Sequence, residues 1–536
     1  MPGRFSVSWG DPQATSGPGP GTYAIARLTF PQGVFPSVHP LSYVSQTNPN
    51  STVNIIDLAP GGPAIANWVT DADGEWHVGS NWSTGTPPTG EYVVQIDVGG
   101  ANVRTITHSQ GSTEVRRIAS QEHIRLAGGT LWAIEQGISV ANGLTIDGGT
   151  LRGAVSGSPV TVGPNGGRAE GTDLRGGLIL PGGAPLVVRH GLFLTGNASF
   201  SPGASLRFEN SQVLDGSVAQ GTGVLHFQGG GRITIDGGAT LTILQPITLR
   251  GHGGVIGVRT AGTVDAARIN LYGTINADVA GGSLVIDGDA MLSHGTLTAG
   301  AGALLQINPS LTAHVGTVGG DGAVRALGGL HVSFDIDKSG DGPLRVNGEL
   351  LLPVGNTIDL LGGGLIHDYV GDSSLATLRD RVIRGYNNGS WNGSGIRSST
   401  AAANDDLAVG YAEASALFAS FPASFFGESI DDTTLLVRLV RNGDSNLDGT
   451  INLADFNRLA SSFGSTNALW DDGDFNYDGN VNLSDFNLLA ANYGLGAAGP
   501  DVAPEEWSAL ASAVPEPGVL GLGLLAFLNA RRHRRG

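Results

Sequence analysis

Between about residues 90 and 340, runs of four to seven alternating apolar and polar residues are separated by glycine-rich corners. Examples are Gly128-Gly-Thr-Leu-Trp132, Gly148-Gly-Thr-Leu151, Gly237-Gly-Ala-Thr-Leu241, Gly273-Thr-Ile275, Gly281-Gly-Ser-Leu-Val-Ile-Asp287 and Gly295-Thr-Leu297, the first two 20 residues apart. A period of two is that of a strand with one buried face, so Leu, Ile and Val point inward, Thr and Asp point outward, and Gly turns the corner. With hairpin dipeptides scarce and the spacing close to one coil, the pattern predicts a mainly β chain: a right-handed parallel β-helix, or solenoid, over 63–340. Just upstream stand Trp68, Trp76 and Trp82. They read as a cap on the first coil, because an exposed solenoid end must be covered; the alternative is aromatic stacking on sugar rings.

Residues 341–440 change character and predict a small mixed β/α module. Leu344, Val346, Leu350 and Leu352 share one strand face, and Thr357–Leu361 is a second strand. Leu375, Leu378, Val382 and Ile383 fall on one side of a helix over 374–384, capped by Asp372 or Ser373. The loop that follows carries Tyr386 and Trp391, read as turn packing with a carbohydrate contact as the alternative. Leu435–Val440 is strand-like.

Over 441–497 the period becomes helical, twice. Phe456, Leu459, Ala460 and Phe463 recur at i, i+3, i+4 and i+7, and Phe486, Leu489, Ala490 and Tyr493 repeat that spacing before Gly464 and Gly494 stop each helix. Each helix is preceded by a twelve-residue loop, and the two loops lie 30 residues apart. Counting from Asp444, positions 1, 3, 5, 9 and 12 are Asp444, Asn446, Asp448, Asn452 and Asp455; from Asp474 they are Asp474, Asn476, Asp478, Asn482 and Asp485. Position 6 is Gly, where the loop turns, and position 7 offers its backbone carbonyl, from Thr450 and Asn480. Calcium takes six to eight oxygen ligands, and acidic and amide side chains at alternate positions supply them. Two bound Ca2+ ions are therefore expected. Asn452 and Asn482 also suit helix N-caps, with Asp455 and Asp485 completing capping boxes.

Each unit is a loop with an exiting helix, half an EF-hand, and the two must pack together to bury their aromatic faces. The segment resembles a type I dockerin, a small all-α EF-hand-like pair, with Asp closing each loop as is usual there. The resemblance implies a cohesin-like partner, recognised through a Ser/Thr-type pair at loop positions 10 and 11. Here those positions are Leu453-Ala454 and Leu483-Ser484. Leu453 and Leu483 are expected to be mostly buried, leaving a sparse surface for such a partner.

After a linker over 498–513, Pro515-Glu516-Pro517 introduces thirteen mostly apolar residues, Gly518 to Ala530, and then Arg531-Arg-His-Arg-Arg535. An apolar run closed by a basic cluster reads as a stop in translocation, although a full bilayer span wants about 20 residues. The tail, 514–536, resembles the PEP-CTERM sorting signal of exported bacterial proteins. It implies recognition of Pro515, Glu516 and Pro517 by a membrane-bound exosortase, a transient C-terminal membrane anchor, and a destination at the cell surface, outer membrane or extracellular matrix. Residues 1–62 read as a partial β segment (Tyr23–Phe30, Thr52–Ile56). No export leader precedes them, so a truncated or misassigned start is expected.

Composition narrows the chemistry. Glycine supplies 86 of 536 residues, roughly twice the usual share, as many tight corners require. With no cysteine there are no disulfides, thiol nucleophiles or Cys-ligated zinc. A net charge of −18 argues against nucleic acid, whose phosphates call for a basic face. No histidine pair has zinc spacing, no Gly-x-Ser-x-Gly lies between a strand and a helix, and no Gly-x-Gly opens a βαβ unit. The sole lysine, Lys338, stands in Asp335-Ile-Asp337-Lys338-Ser-Gly-Asp341, the one place where acids and a base coincide. No catalytic residue is assigned. The solenoid resembles the β-helical passenger regions of bacterial surface proteins, and the whole reads as a non-catalytic surface or matrix protein contacting a cohesin-like domain or extracellular polysaccharide. The alternative is a polysaccharide lyase or glycoside hydrolase tethered by its dockerin.

Overall fold

Short strands with one apolar face and glycine corners at near-coil spacing can bury that face inside stacked coils, and that is the architecture observed. The computed structural model describes residues 64–495 apart from 101, 217–222, 260–265 and 314–315. The strand readings at 23–30 and 52–56, the linker and the sorting tail lie outside the described residues. Among the described residues the chain is mainly β, a solenoid of about 12 turns with five helices. Among these residues the strands form a 24-stranded and a 15-stranded sheet, parallel throughout the solenoid, and a two-stranded hairpin at Ala423–Phe425 and Glu428–Ile430.

In the N-terminal coils one long bent strand, such as Thr130–Val140 or Leu186–Leu194, alternates with a short one, such as His123–Leu126. From Ser205–Phe208 and Gln212–Asp215 onward the long strand is split in two. The coils are longest in the middle of the solenoid and shorten again toward its C-terminal end, where Leu297 pairs with Val318 and Val318 with Lys338. Ile124 pairs with Ile106 and Leu144, steps of 18 and 20 residues, whereas Leu249 pairs with Leu225 and Ile275, steps of 24 and 26. Inward residues stack in columns, for example Leu241, Ile269, Met291, Leu311, Leu330 and Leu350. All six are buried, and each contributes about 1.5–3 kcal/mol of apolar burial. Outward columns are polar, as in Thr248, Thr274 and Thr296.

One corner shows why glycine is needed. A Cβ on Gly295 would stand 2.1 Å from the Gly273 carbonyl oxygen, and one on Gly316 2.0 Å from that of Gly295. Successive coils approach there backbone to backbone, which only glycine permits.

The N-terminal end is sealed. Trp68, Trp76 and Trp82 are buried edge to face, with ring centroids 5.1 and 4.8 Å apart, and Trp82 Nε1 donates to the Trp76 carbonyl at 2.7 Å. The returning segment bonds the first strand, Ile65–Asn67, through Ser83 N to Asn67 O at 2.8 Å. Rings so enclosed leave no open face for stacking on a sugar.

The parallel ladder does not stop at residue 340. Leu344 pairs with both Val324 and Leu365, and Ile358 with both Ile336 and Ile396, because the apolar face 344–352 lines the solenoid interior. The last parallel strand of the larger sheet is β1, Gly364–Asp368. Helix α1, Leu375–Tyr386, is inserted before the ladder's last short strand, Gly395–Arg397. Ser373 Oγ accepts from Leu375 N at 3.1 Å at its start, and Leu378 and Val382 are buried. The sheet then reverses direction. Strand β2, Leu407–Glu413, and strand β3, Thr434–Arg441, are antiparallel, and β3 lies between β1 and β2. Strand β2 thus ends the sheet. Helices α2, Leu453–Ser461, and α3, Leu483–Asn492, follow. Among the described residues no helix is long and apolar enough to cross a membrane.

Candidate calcium loops

The two twelve-residue loops repeat each other almost bond for bond. At position 1, Asp444 Oδ2 accepts from Gly449 N and Asp474 Oδ2 from Gly479 N, both at 2.9 Å. At position 3, Asn446 and Asn476 accept from the amides of Asp448 and Asp478, again at 2.9 Å. At position 5, Asp448 and Asp478 accept from the amides of Thr450 and Asn480 at 2.8 Å. The glycines at position 6 have φ of +91° and +80°, which favours residues without a Cβ.

Positions 9 and 12 start the helices as expected. Asn452 Oδ1 accepts from Ala454 N and Asn482 Oδ1 from Ser484 N, while Asp455 and Asp485 reach back to the amides of Asn452 and Asn482 at 2.9 Å. The other oxygen of Asp455 accepts from Ser445 N and Asn446 N, and that of Asp485 from Phe475 N and Asn476 N. The units also interlock. Gly464 N, past α2, donates to Val481 O in the second loop, and Gly494 N, past α3, donates to Ile451 O in the first. Phe456 and Phe486 meet between them at 6.3 Å.

The electrostatics of the loops suit a cation. Burial, then repulsion from Asp455, pushes Asp444 up to about 7 despite the Gly449 amide. Burial likewise raises Asp474 to about 6, against the Gly479 amide and with Asp485 and Asp478 adding repulsion. Burial raises Asp455 and Asp485 as well. Burial acts to raise Asp478 too, but bonds from Asn480 and Asn476 outweigh it and hold it low. Asp474 Oδ1 is buried with no hydrogen-bond partner. Carboxylates disfavoured as isolated anions are the ones a divalent cation stabilises. Among the described residues no three His, Asp or Glu side chains converge as a ready metal cluster. A calcium ion would therefore draw also on Asn446, Asn476, Asn452 and Asn482 and on the carbonyls of Thr450 and Asn480. The residues fit calcium on these terms.

Sequence reasoning missed what the loops rest on. Position 4 is Leu447 in one loop and Tyr477 in the other, both buried and both left-handed, at φ +59° and +60°. Tyr477 lies against Tyr386, Trp391 and Trp470, with ring centroids 4.5, 5.8 and 5.3 Å away. Trp391 is thus buried turn packing, which removes the carbohydrate-contact alternative there. Arg379 and Arg438, on α1 and β3, donate to loop-region carbonyls at Ala468 and Leu447. The signal available in the sequence was an apolar residue at position 4 of an otherwise polar loop. The burial expected for positions 10 holds only in part: Leu453 is half-buried against the core, while Leu483 is 41 % exposed.

On the solenoid, Lys338 points inward and is fully buried; its Nζ donates to the carbonyls of Gly340 at 2.8 Å, Gly362 at 3.1 Å and Gly342. Burial pushes it down to about 8, with Asp341 and Asp321 opposing. Its ammonium cannot reach an external substrate, whereas Asp337, two residues from Asp335, faces outward beside Asp359. Many outward acids are paired to an arginine one coil away: Asp147 with Arg125 at 2.5 Å, Glu170 with Arg152 at 2.8 Å, Asp236 with Arg207 at 3.1 Å and Asp278 with Arg250 at 2.6 Å. Each pair is worth about 0–1 kcal/mol. Compared with family models, curated proteins and solved structures, the chain matches none.

Proposed function

We propose that this is a non-catalytic protein of the bacterial surface or extracellular matrix, a β-solenoid rod closed by a calcium-stabilised, dockerin-like pair of loops, exported and then sorted through its C-terminal tail. The observation that carries the calcium part is the bond-for-bond repetition of two loops whose position-1 carboxylates are buried and raised, although Arg379 lies 4.0 Å from Asp474 and Arg438 lies near Asp444. Two Ca2+ ions would be held by Asp444, Asn446, Asp448, Thr450, Asn452 and Asp455, and by Asp474, Asn476, Asp478, Asn480, Asn482 and Asp485. The structural role is supported by arginine–carboxylate pairs that staple neighbouring coils and by burial of Trp68, Trp76, Trp82, Trp391 and Lys338, side chains that a sugar-active site would use. Sorting rests on Pro515-Glu516-Pro517 and the basic end. A cohesin-like partner would meet the surface around Ala454, Leu483 and Ser484.

The test is calorimetry on the full chain. Two ions are expected, and Asp448→Ala and Asp478→Ala should each remove one while the solenoid keeps its β circular dichroism. A chain that takes up no calcium, or whose stoichiometry neither variant changes, rejects the reading.

A further inference from the structure

Strand β2 ends the 24-stranded sheet, and its outer edge would offer unpaired backbone groups to any other strand. The second loop covers it. Tyr477 Oη donates to Val409 O at 3.0 Å and accepts from Val409 N at 3.2 Å, so one hydroxyl satisfies both backbone groups of an edge residue. The first loop covers the next residue. A Cβ on Gly410 would stand 2.5 Å from Leu447 Cδ2 and 2.7 Å from Trp470 Nε1, so glycine at 410 makes the seat for both. Trp470 Nε1 in turn donates to the carbonyl of Asp444, position 1 of the first loop, at 2.7 Å. The equivalent residue of each loop, position 4, thus plugs into one of two adjacent residues of the same edge strand. Each plug sits between two ligand positions, 3 and 5, and is held in a left-handed conformation by the loop's own bonds.

From this we infer that the calcium loops are a latch on the open end of the solenoid sheet: calcium, by fixing positions 3 and 5, seats Leu447 and Tyr477 on β2, and its removal uncovers that edge. The inference rests on the calcium reading above and adds to it a regulated structural element. Binding free energy in such loops is also folding free energy, so seating and calcium affinity are linked. Linkage is reciprocal: whatever weakens the seat weakens calcium by the same factor.

The experiment is amide hydrogen exchange on the full chain in calcium and in chelator, with calorimetry on the same samples. The Val409 amide should exchange at least about ten-fold faster in chelator, while Leu249 and Ile275, in the middle of the solenoid, keep their protection. Tyr477→Phe keeps the ring and all ligands, so it should bind two ions yet lose Val409 protection even in calcium. Gly410→Ala should lower calcium affinity by about ten-fold although it touches no ligand, because the seat is obstructed. Calcium uptake with Val409 equally protected in both conditions, or full protection in Tyr477→Phe, overturns the latch alone. Absence of calcium uptake overturns the latch and the calcium reading together.

Discussion

Replacing Lys338 by Met keeps the apolar stem among the inward side chains and deletes the ammonium. Two of its three hydrogen bonds, to Gly342 and Gly362, are wholly buried, and the third, to Gly340, is partly so. Leaving those carbonyls unpaired costs about 1–3 kcal/mol each. Set against that is the cost of burying a charge. A fall from 10.5 to about 8 corresponds to roughly 3 kcal/mol, which the variant recovers. The net expectation is a loss of about 3 kcal/mol, confined to the coils around 320–362. Its pH dependence has a definite sign. Because the folded value lies below the unfolded one, the unfolded chain binds more protons between about pH 8 and 10.5, and the lysine's contribution becomes more favourable across that window. The gap between wild type and Lys338→Met should be flat below pH 8 and widen above it. Hydrogen exchange of amides in the Val324–Leu365 coils measures it coil by coil, which suits a repeat array better than one global transition. In the native protein Lys338 should also resist reductive methylation until the chain is unfolded. A variant with unchanged exchange, or a native lysine that is methylated readily, would refute the burial argument.

Gly295→Ala places a methyl 2.1 Å from a neighbouring backbone oxygen that cannot move without breaking the ladder; about 2–4 kcal/mol should be lost locally, seen as faster exchange at Thr296 and Thr274. Acid should weaken calcium binding: in the metal-free fold Asp444 and Asp474 titrate near 7 and 6, so protons compete with the ion as pH falls from 7 to 5. The same raised values mean that the metal-free loops gain stability as pH drops through that window, so acid should tighten the empty fold while calorimetry shows a falling calcium affinity. Protein from the native host should lack Arg531–Arg535 by intact mass, and a Pro515→Ala/Pro517→Ala double variant should retain them; unchanged processing in that variant would reject the sorting assignment.

The alternation of Leu, Ile and Val with Thr and Asp determined that this chain is built of strands with one apolar face, and the Gly-rich corners at near-coil spacing pointed to parallel stacking of those strands. The twelve-residue repeat determined the two loop conformations and their helix caps, since both depend on contacts within about twelve residues. Trp68, Trp76 and Trp82 were legible as an end cap for the same local reason. What no local pattern carries is long-range seating. The ladder runs on through Leu344, Leu365 and Ile396 because those residues continue columns begun 20 or more positions earlier, and α1 interrupts the sequence without interrupting the sheet. Lys338 looked like half of an acid–base constellation and is instead an interior clasp, because strand parity turned it inward while Asp337 faced out. Likewise Leu447 and Tyr477 are unremarkable within their loops. Only the tertiary structure, by bringing β2 beneath them across 38 and 68 residues of chain from Val409, gives position 4 its role.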